Sequence, residues 1–189
     1  MSVSNRLALL VIDMQQGLFA NEQSRYRSAN VVANINLLIH HCHHHSQPVI
    51  FIQHDGPEDD PLEPHTEGWQ ILPQLRRAPQ DHLIRKTACD AFYRTGLQPL
   101  LHSLRVGKLM MTGCATDFCV DTTLRSAASL DYQLIAISDA HTTANRPHLA
   151  AEQIIQHHNF MWQNLLIPTP VTLMDTRQML EELPERLMD

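Results

Sequence analysis

Leu7-Ala8-Leu9-Leu10-Val11-Ile12-Asp13-Met14-Gln15 places six consecutive apolar residues directly before a carboxylate. Residues 7–12 show no alternation with polar side chains. Such a run predicts a strand covered on both faces, as in the middle of a parallel sheet. A carboxylate at the end of a buried strand must find a partner or shift its pKa upward. Asp13 is therefore a candidate general base, and Lys86 and Cys119 are its candidate partners further along the chain.

Working outward, strand-like runs recur at 48–53, 82–85, 108–112, 132–138 and 165–167. Helical patterns fall between them. Residues 28–45 set Val31, Ile35, Leu38 and Cys42 on one stripe before Pro48, and 96–105 carries Leu97, Leu100, Leu101 and Leu104. A third helix is expected from Thr116 or Asp117 to Leu130. A fourth opens on Asn145 as N-cap, with Pro147 in its first turn, and reaches Trp162. The last, 175–183, starts with Asp175 and Gln178 at capping-box spacing, and Pro184 stops it. Alternating β and α elements with right-handed crossovers predict a three-layer α/β/α sandwich, with residues 1–189 as a single domain. The long irregular stretch, 54–70, has the length of a lid or binding loop.

Composition narrows the function classes. A formal charge of −6 without any Lys/Arg run argues against a nucleic-acid partner. No stretch has the roughly 20 apolar residues of a membrane span, and the start of the chain lacks a signal-peptide layout. Cys42, Cys89, Cys114 and Cys119 show no CxxC spacing and read as reduced thiols of a cytoplasmic protein. Lysine occurs only at 86 and 108, so a lysine at a strand end stands out.

In open parallel sheets, ligands bind beyond the carboxyl ends of the strands. Asp13 follows the first strand, Lys86 the third and Cys119 the fourth, so all three belong to one sheet edge. A thiol becomes a nucleophile as its thiolate. Cys119 falls in the first turn of a predicted helix, where free N–H groups and the dipole favour an anion. Lys86 would lower the thiol pKa further, and Asp13 could take its proton. Backbone N–H groups around 115–119 could hold the oxyanion of a tetrahedral intermediate. Each residue also has a structural reading: Cys119 as core packing, Asp13 as a turn residue, Lys86 as a surface charge.

Leu10-Val11-Ile12-Asp13-Met14-Gln15, Arg85-Lys86, the run Thr112-Gly113-Cys114-Ala115-Thr116-Asp117-Phe118-Cys119-Val120-Asp121-Thr122-Thr123 and Ser138-Asp139-Ala140-His141 together resemble the isochorismatase-like cysteine hydrolases. The resemblance spans nearly the whole chain, with its motifs in order. It implies a parallel six-stranded sheet of order 3-2-1-4-5-6 and a Cys-Asp-Lys triad that hydrolyses carbon–nitrogen bonds through a thioester. Carried onto this chain, it makes Cys119 the nucleophile, Asp13 the base that later protonates the leaving amine, and Lys86 the cation that stabilises the thiolate. It also implies a cis peptide at Cys114–Ala115, aiming the Ala115 and Cys119 N–H groups at the oxyanion. Members of the family that cleave a vinyl ether lack the nucleophilic cysteine, so Cys119 points to the amidase side. Nicotinamidases add a metal site through an Asp-x-His pattern after the second strand, whereas this chain has His54-Asp55-Gly56 there. The expectation is an amidase acting on a small neutral molecule without metal or cofactor, as a homo-oligomer (dimer or tetramer), with no membrane partner. The rival readings are vinyl-ether hydrolysis, a non-enzymatic binding protein on the same fold, and a thiol redox protein.

Other features invite site readings. His40, His41, His43, His44 and His45 surround Cys42 and place i,i+4 histidine pairs on shared helix faces. The structural alternative is a helix end whose imidazoles suit the dipole. Asp55, Glu58, Asp59, Asp60, Glu63 and Glu67 form either a solvated loop or a lid that repels anions. Trp69, Phe92 and Phe118 are candidate pocket walls, and His157-His158-Asn159 reads as structural or interfacial.

Overall fold

The computed structural model describes residues 6–20 and 25–186. Six parallel strands form one sheet in the order β3-β2-β1-β4-β5-β6. They are β1 (Arg6–Ile12), β2 (Val49–His54), β3 (His82–Lys86), β4 (Val106–Cys114), β5 (Gln133–Thr142) and β6 (Thr172–Met174). β1 is central, pairing with β2 through Leu9–Ile12 and with β4 along its whole length. Its side chains explain the unbroken apolar run. Leu7, Leu9 and Val11 pack with Val31, Ile35, Leu38 and Ile39 of α1 (Ser28–His44) and with Met179 of α5 (Thr176–Arg186). Ala8, Leu10 and Ile12 pack with Leu97 and Leu101 of α2 (Leu97–Ser103), Leu124 of α3 (Asp121–Ser129) and Trp162 of α4 (Ala151–Gln163). Every second residue feeds one layer, and neither face of the strand meets water.

The structure moves several expected boundaries. The sixth strand lies at Thr172–Met174 and not at 165–167. Leu166 is fully exposed while Leu165 and Ile167 pack against the α2–α4 layer. The chain reaches the β5 edge only after Pro168 and Pro170, neither of which can donate to a ladder. The fourth helix begins at Ala151, with its N-cap at Ala150, five residues later than expected. Asn145 still supplies the cap, because its Oδ1 accepts the Ala151 N–H at 2.9 Å, while an Arg146–Leu149 bridge loops the intervening chain outward. In α5 the capping box closes as expected, with reciprocal Asp175–Gln178 bonds of 2.9 and 2.7 Å. The helix nevertheless runs past Pro184 to Arg186; proline removes one N–H donor from the ladder but keeps a helical φ.

The irregular stretch after β2 is tied to the segment that follows β1. Gly17 N–H donates to Gly68 O at 2.7 Å, Gln16 N–H to Gln70 O at 2.8 Å, and Leu72 N–H to Met14 O at 2.9 Å. The same loop therefore lies against the carboxyl edge of the sheet. At the opposite edge, His43 spends its ring on Asp81 at 2.7 Å, joining the end of α1 to the approach to β3. None of the helices in the described residues is long and apolar enough to cross a membrane.

Candidate active site

Three strand ends deliver Asp13, Lys86 and Cys119 to one point. β1 stops at Ile12 and Asp13 takes a left-handed φ of 46°, its N–H still donating to Ile52 O of β2 at 3.0 Å. Asp tolerates this conformation better than most residues. Lys86 closes β3, the edge strand. Its side chain passes the end of β2 to place Nζ 2.7 Å from Asp13 Oδ2. Cys119 sits in a π-helical turn, Thr116–Val120, that leads into α3. Its Sγ accepts from Lys86 Nζ at 3.3 Å. Between β4 and that turn the Cys114–Ala115 peptide is cis, as the family resemblance implies. Gly113, with φ 117°, lets β4 run hard against β1, since a Cβ there would collide with the Ile12 backbone.

The electrostatics are those of a buried site. The Lys86 side chain is 0% and the Asp13 side chain 2% exposed. Burial pushes the Asp13 carboxyl upward, and this outweighs the Lys86 charge and the Cys119 thiol, which pull it down. Burial alone would depress the Lys86 ammonium, but Asp13 and Cys119 more than reverse that and hold it charged. The Cys119 thiol is raised, by burial first and then by the Asp13 carboxylate, with Lys86 opposing. This corrects the expectation of a thiolate favoured by Lys86 and a helix start. The cation is already engaged by Asp13, whose negative charge faces the sulfur. The site thus sets a raised thiol beside the 2.7 Å Asp13–Lys86 contact. Asp13 Oδ1 is buried without an oriented hydrogen-bond partner.

Two supporting residues escaped the sequence reading. His54, the last residue of β2, brings Nδ1 to 3.1 Å from Lys86 Nζ. Burial and the neighbouring Lys86 lower its pKa, so the ring is neutral. Gln15, fully buried, clamps the His54 backbone from both sides: its Oε1 accepts His54 N–H at 2.8 Å and its Nε2 donates to His54 O at 2.9 Å. A polar residue two positions after Asp13 on a turn gave the only signal, and its partner is 39 residues away. His141 does similar work for the turn that carries Cys119. Its Nε2 pairs with Asn159 Oδ1 at 2.9 Å, and its Nδ1 takes the Thr116 hydroxyl at 2.8 Å. Burial lowers its pKa to about 4, so this link does not titrate near neutrality. Asp139, two residues earlier, instead caps α5 through Thr176.

The three expected pocket walls separate. Phe118 is half exposed next to Cys119, with the Arg146 guanidinium 4.8 Å over its ring. Trp69 is fixed at the rim of the site. Its indole N–H donates to Asp55 at 2.8 Å, the Arg85 guanidinium covers its ring, and its carbonyl accepts from Gln15. Phe92 follows β3 in the loop after Lys86. It stacks on Tyr132, which precedes β5 at the other end of the sheet, and packs into the α2–α4 layer. Cys114 lies buried behind the turn, taking a hydrogen bond from Arg25 Nε at 3.2 Å, and burial pushes its thiol up to about 11. Of the described residues, no three His, Cys, Asp or Glu side chains are grouped so as to hold a metal ion.

A parallel α/β sheet of order 3-2-1-4-5-6 with aspartate, lysine and cysteine converging at its carboxyl edge defines a class of protein. The sequence profile of the isochorismatase domain matches residues 7–162, and the chain belongs to the isochorismatase family. Similar proteins include a streptothricin hydrolase of Streptomyces noursei, 31% identical over 140 residues that cover 74% of this chain and 51% of that protein. A second streptothricin hydrolase is covered to 56%, so the chain spans about half the length of these two relatives. A ureidoacrylate amidohydrolase, RutB of Cronobacter sakazakii, is 33% identical over 82 residues, covering 42% of this chain and 35% of that protein. A crystal structure of an isochorismatase family protein superposes with a TM-score of 0.81 at 37% identity, covering 89% of this chain and 98% of that one.

Proposed function

We propose that the protein is a cytoplasmic cysteine hydrolase, an amidase that cleaves a carbon–nitrogen bond of a small neutral molecule through a thioester on Cys119. The observation that carries this reading is the position of Lys86 Nζ, within hydrogen-bond reach of both Asp13 Oδ2 and Cys119 Sγ. Two relatives named for hydrolysis, one of them an amidohydrolase, support the same class of reaction.

In this reading Asp13 takes the Sγ proton as the sulfur attacks the amide carbon and a C–S bond forms. The carbonyl electrons move to oxygen, and the Ala115 and Cys119 N–H groups receive the oxyanion. The C–N bond then breaks, and Asp13 passes its proton to the departing nitrogen. Water adds to the thioester with Asp13 as base, the acid is released, and the proton returns to Sγ. The raised carboxyl of Asp13 suits it to both halves of this cycle, because it must accept a thiol proton and give it back. The raised thiol implies that deprotonation accompanies attack and does not precede it.

The test is an ammonia-release screen across small neutral amides, with intact-mass detection of an acyl group on the protein and peptide mapping of its position. Acylation of Cys119, abolished by Cys119→Ala, is the expected result. Turnover retained by Cys119→Ala rules out the thioester.

A further inference from the structure

Lys86 is over-subscribed. An ammonium has three N–H donors, yet four acceptors stand around Nζ: Asp13 Oδ2 at 2.7 Å, Ala88 O at 2.9 Å, His54 Nδ1 at 3.1 Å and Cys119 Sγ at 3.3 Å. Because the ammonium can only donate, His54 Nδ1 is the acceptor and its proton resides on Nε2. The His54 backbone is held at both N–H and C=O by the buried Gln15 side chain, so the imidazole is built into the site. The triad alone does not account for it.

The count changes when the proposed chemistry begins. At rest, Asp13 and Ala88 take two protons, and His54 shares the third with a neutral thiol, a weak acceptor. Once Asp13 has taken the Cys119 proton, its carboxyl is neutral and its hold on Lys86 slackens. The neutral carboxyl still accepts through Oδ2, though more weakly, so the strong acceptors facing the three donors are now Ala88 O, His54 Nδ1 and the thiolate. Without His54 one ammonium N–H would have only that neutral carboxyl to hold it inside a buried site, and Nζ would lose a fixed acceptor that sets where its other protons point. We propose that His54 is a positioning residue for Lys86, its Nδ1 accepting one ammonium proton and so fixing where the other two point while Asp13 holds the Cys119 proton. The inference rests on the amidase reading of the triad and adds a fourth member that never touches the substrate.

The test replaces the acceptor while keeping or losing its geometry. In His54→Asn, Oδ1 stands the same number of bonds from the backbone as the imidazole Nδ1 and can accept from Lys86. His54→Leu and His54→Ala have no acceptor. The readout is the rate constant for alkylation of Cys119 by iodoacetamide at neutral pH, with the labelled thiol located by peptide mass and folding checked by circular dichroism. His54→Leu should react about tenfold more slowly, the order expected when a buried donor loses its acceptor, and His54→Ala reports the same loss if the leucine does not fold. His54→Asn should stay within about twofold of the unaltered protein. Equal slowing in Asn and Leu variants, or no slowing in either, overturns the positioning role. If Cys119 is not the preferred thiol in the unaltered protein, the nucleophile assignment itself falls, and this inference falls with it.

Discussion

Asp13 directly follows β1's apolar run and Asp117 stands two residues before Cys119, and each holds a cation close. Lys86 Nζ is 2.7 Å from Asp13 and Arg146 Nε is 2.8 Å from Asp117. Their carboxyls nevertheless shift in opposite directions. Burial raises Asp13 beyond what Lys86 can restore. At Asp117 burial is outweighed by hydrogen bonds from Arg146 and Thr143, which hold the carboxyl below the usual range. The Asp117 side chain keeps 15% of its exposure and its arginine 28%, against 2% and 0% for the first pair. Distance to a counter-ion therefore does not decide what a carboxylate can do; desolvation does. A raised carboxyl can exchange protons with a thiol, whereas a lowered one can only anchor. Asp117 anchors: with Thr143 and Arg146 it ties the Cys119 turn to the loop after β5.

The comparison breaks first at turnover. Asp13→Asn keeps an acceptor for Lys86 but cannot take a proton. Hydrolysis of the amide found by the ammonia screen should fall by about 10²–10⁴, the usual contribution of a positioned acid–base group. Asp117→Asn should keep turnover within about tenfold, since an anchor transfers no proton and loses only one charge-assisted contact. Similar losses in both variants would show that the two carboxylates do not differ in role.

The next largest effect is on stability. Lys86→Met leaves Asp13 buried without its cation, and breaking such a pair costs about 3–5 kcal/mol. Urea unfolding should show this loss, and Asp13→Asn combined with Lys86→Met should recover part of it, because the pair is then removed and not broken. Strictly additive losses in that cycle would mean that the 2.7 Å contact carries no coupling.

How much of this was legible in the sequence follows the same division. The fold was readable because β1 buries both faces and writes that fact as six apolar residues in a row. The convergence of Asp13, Lys86 and Cys119 was readable because strand ends of a parallel sheet share an edge. Distances between those ends, and so the balance of desolvation against charge, are not written in any local pattern. The direction of the Cys119 shift came out reversed for that reason. His54 was passed over because its meaning depends on a side chain from another strand, Gln15, reaching its backbone. The stacking of Phe92 on Tyr132 was not legible because it joins residues 40 positions apart. The late starts of α4 and β6 belong to loops, where proline spacing and a remote Asn145 cap replace periodicity.

The smallest effect is the most direct probe of the comparison. Asp117→Asn should cost about 1 kcal/mol at neutral pH, as expected for a partly exposed pair, and the cost should depend on pH with a defined sign. A carboxyl lowered in the folded state stabilises the fold above its ordinary value of 3.8, and that contribution is lost as pH falls through the folded value. Unfolding curves of the unaltered protein and of Asp117→Asn should therefore diverge above that window and converge below it. Asp13 runs the other way: its raised carboxyl makes the fold lose stability as pH climbs from 3.8 toward the folded value. Carboxyl carbon-13 shifts followed through an acid titration measure both without any variant. The Asp117 midpoint should fall below 3.8 and the Asp13 midpoint above it. Midpoints on the same side would mean that burial does not separate the two carboxylates, and the assignment of base and anchor would have to be redrawn.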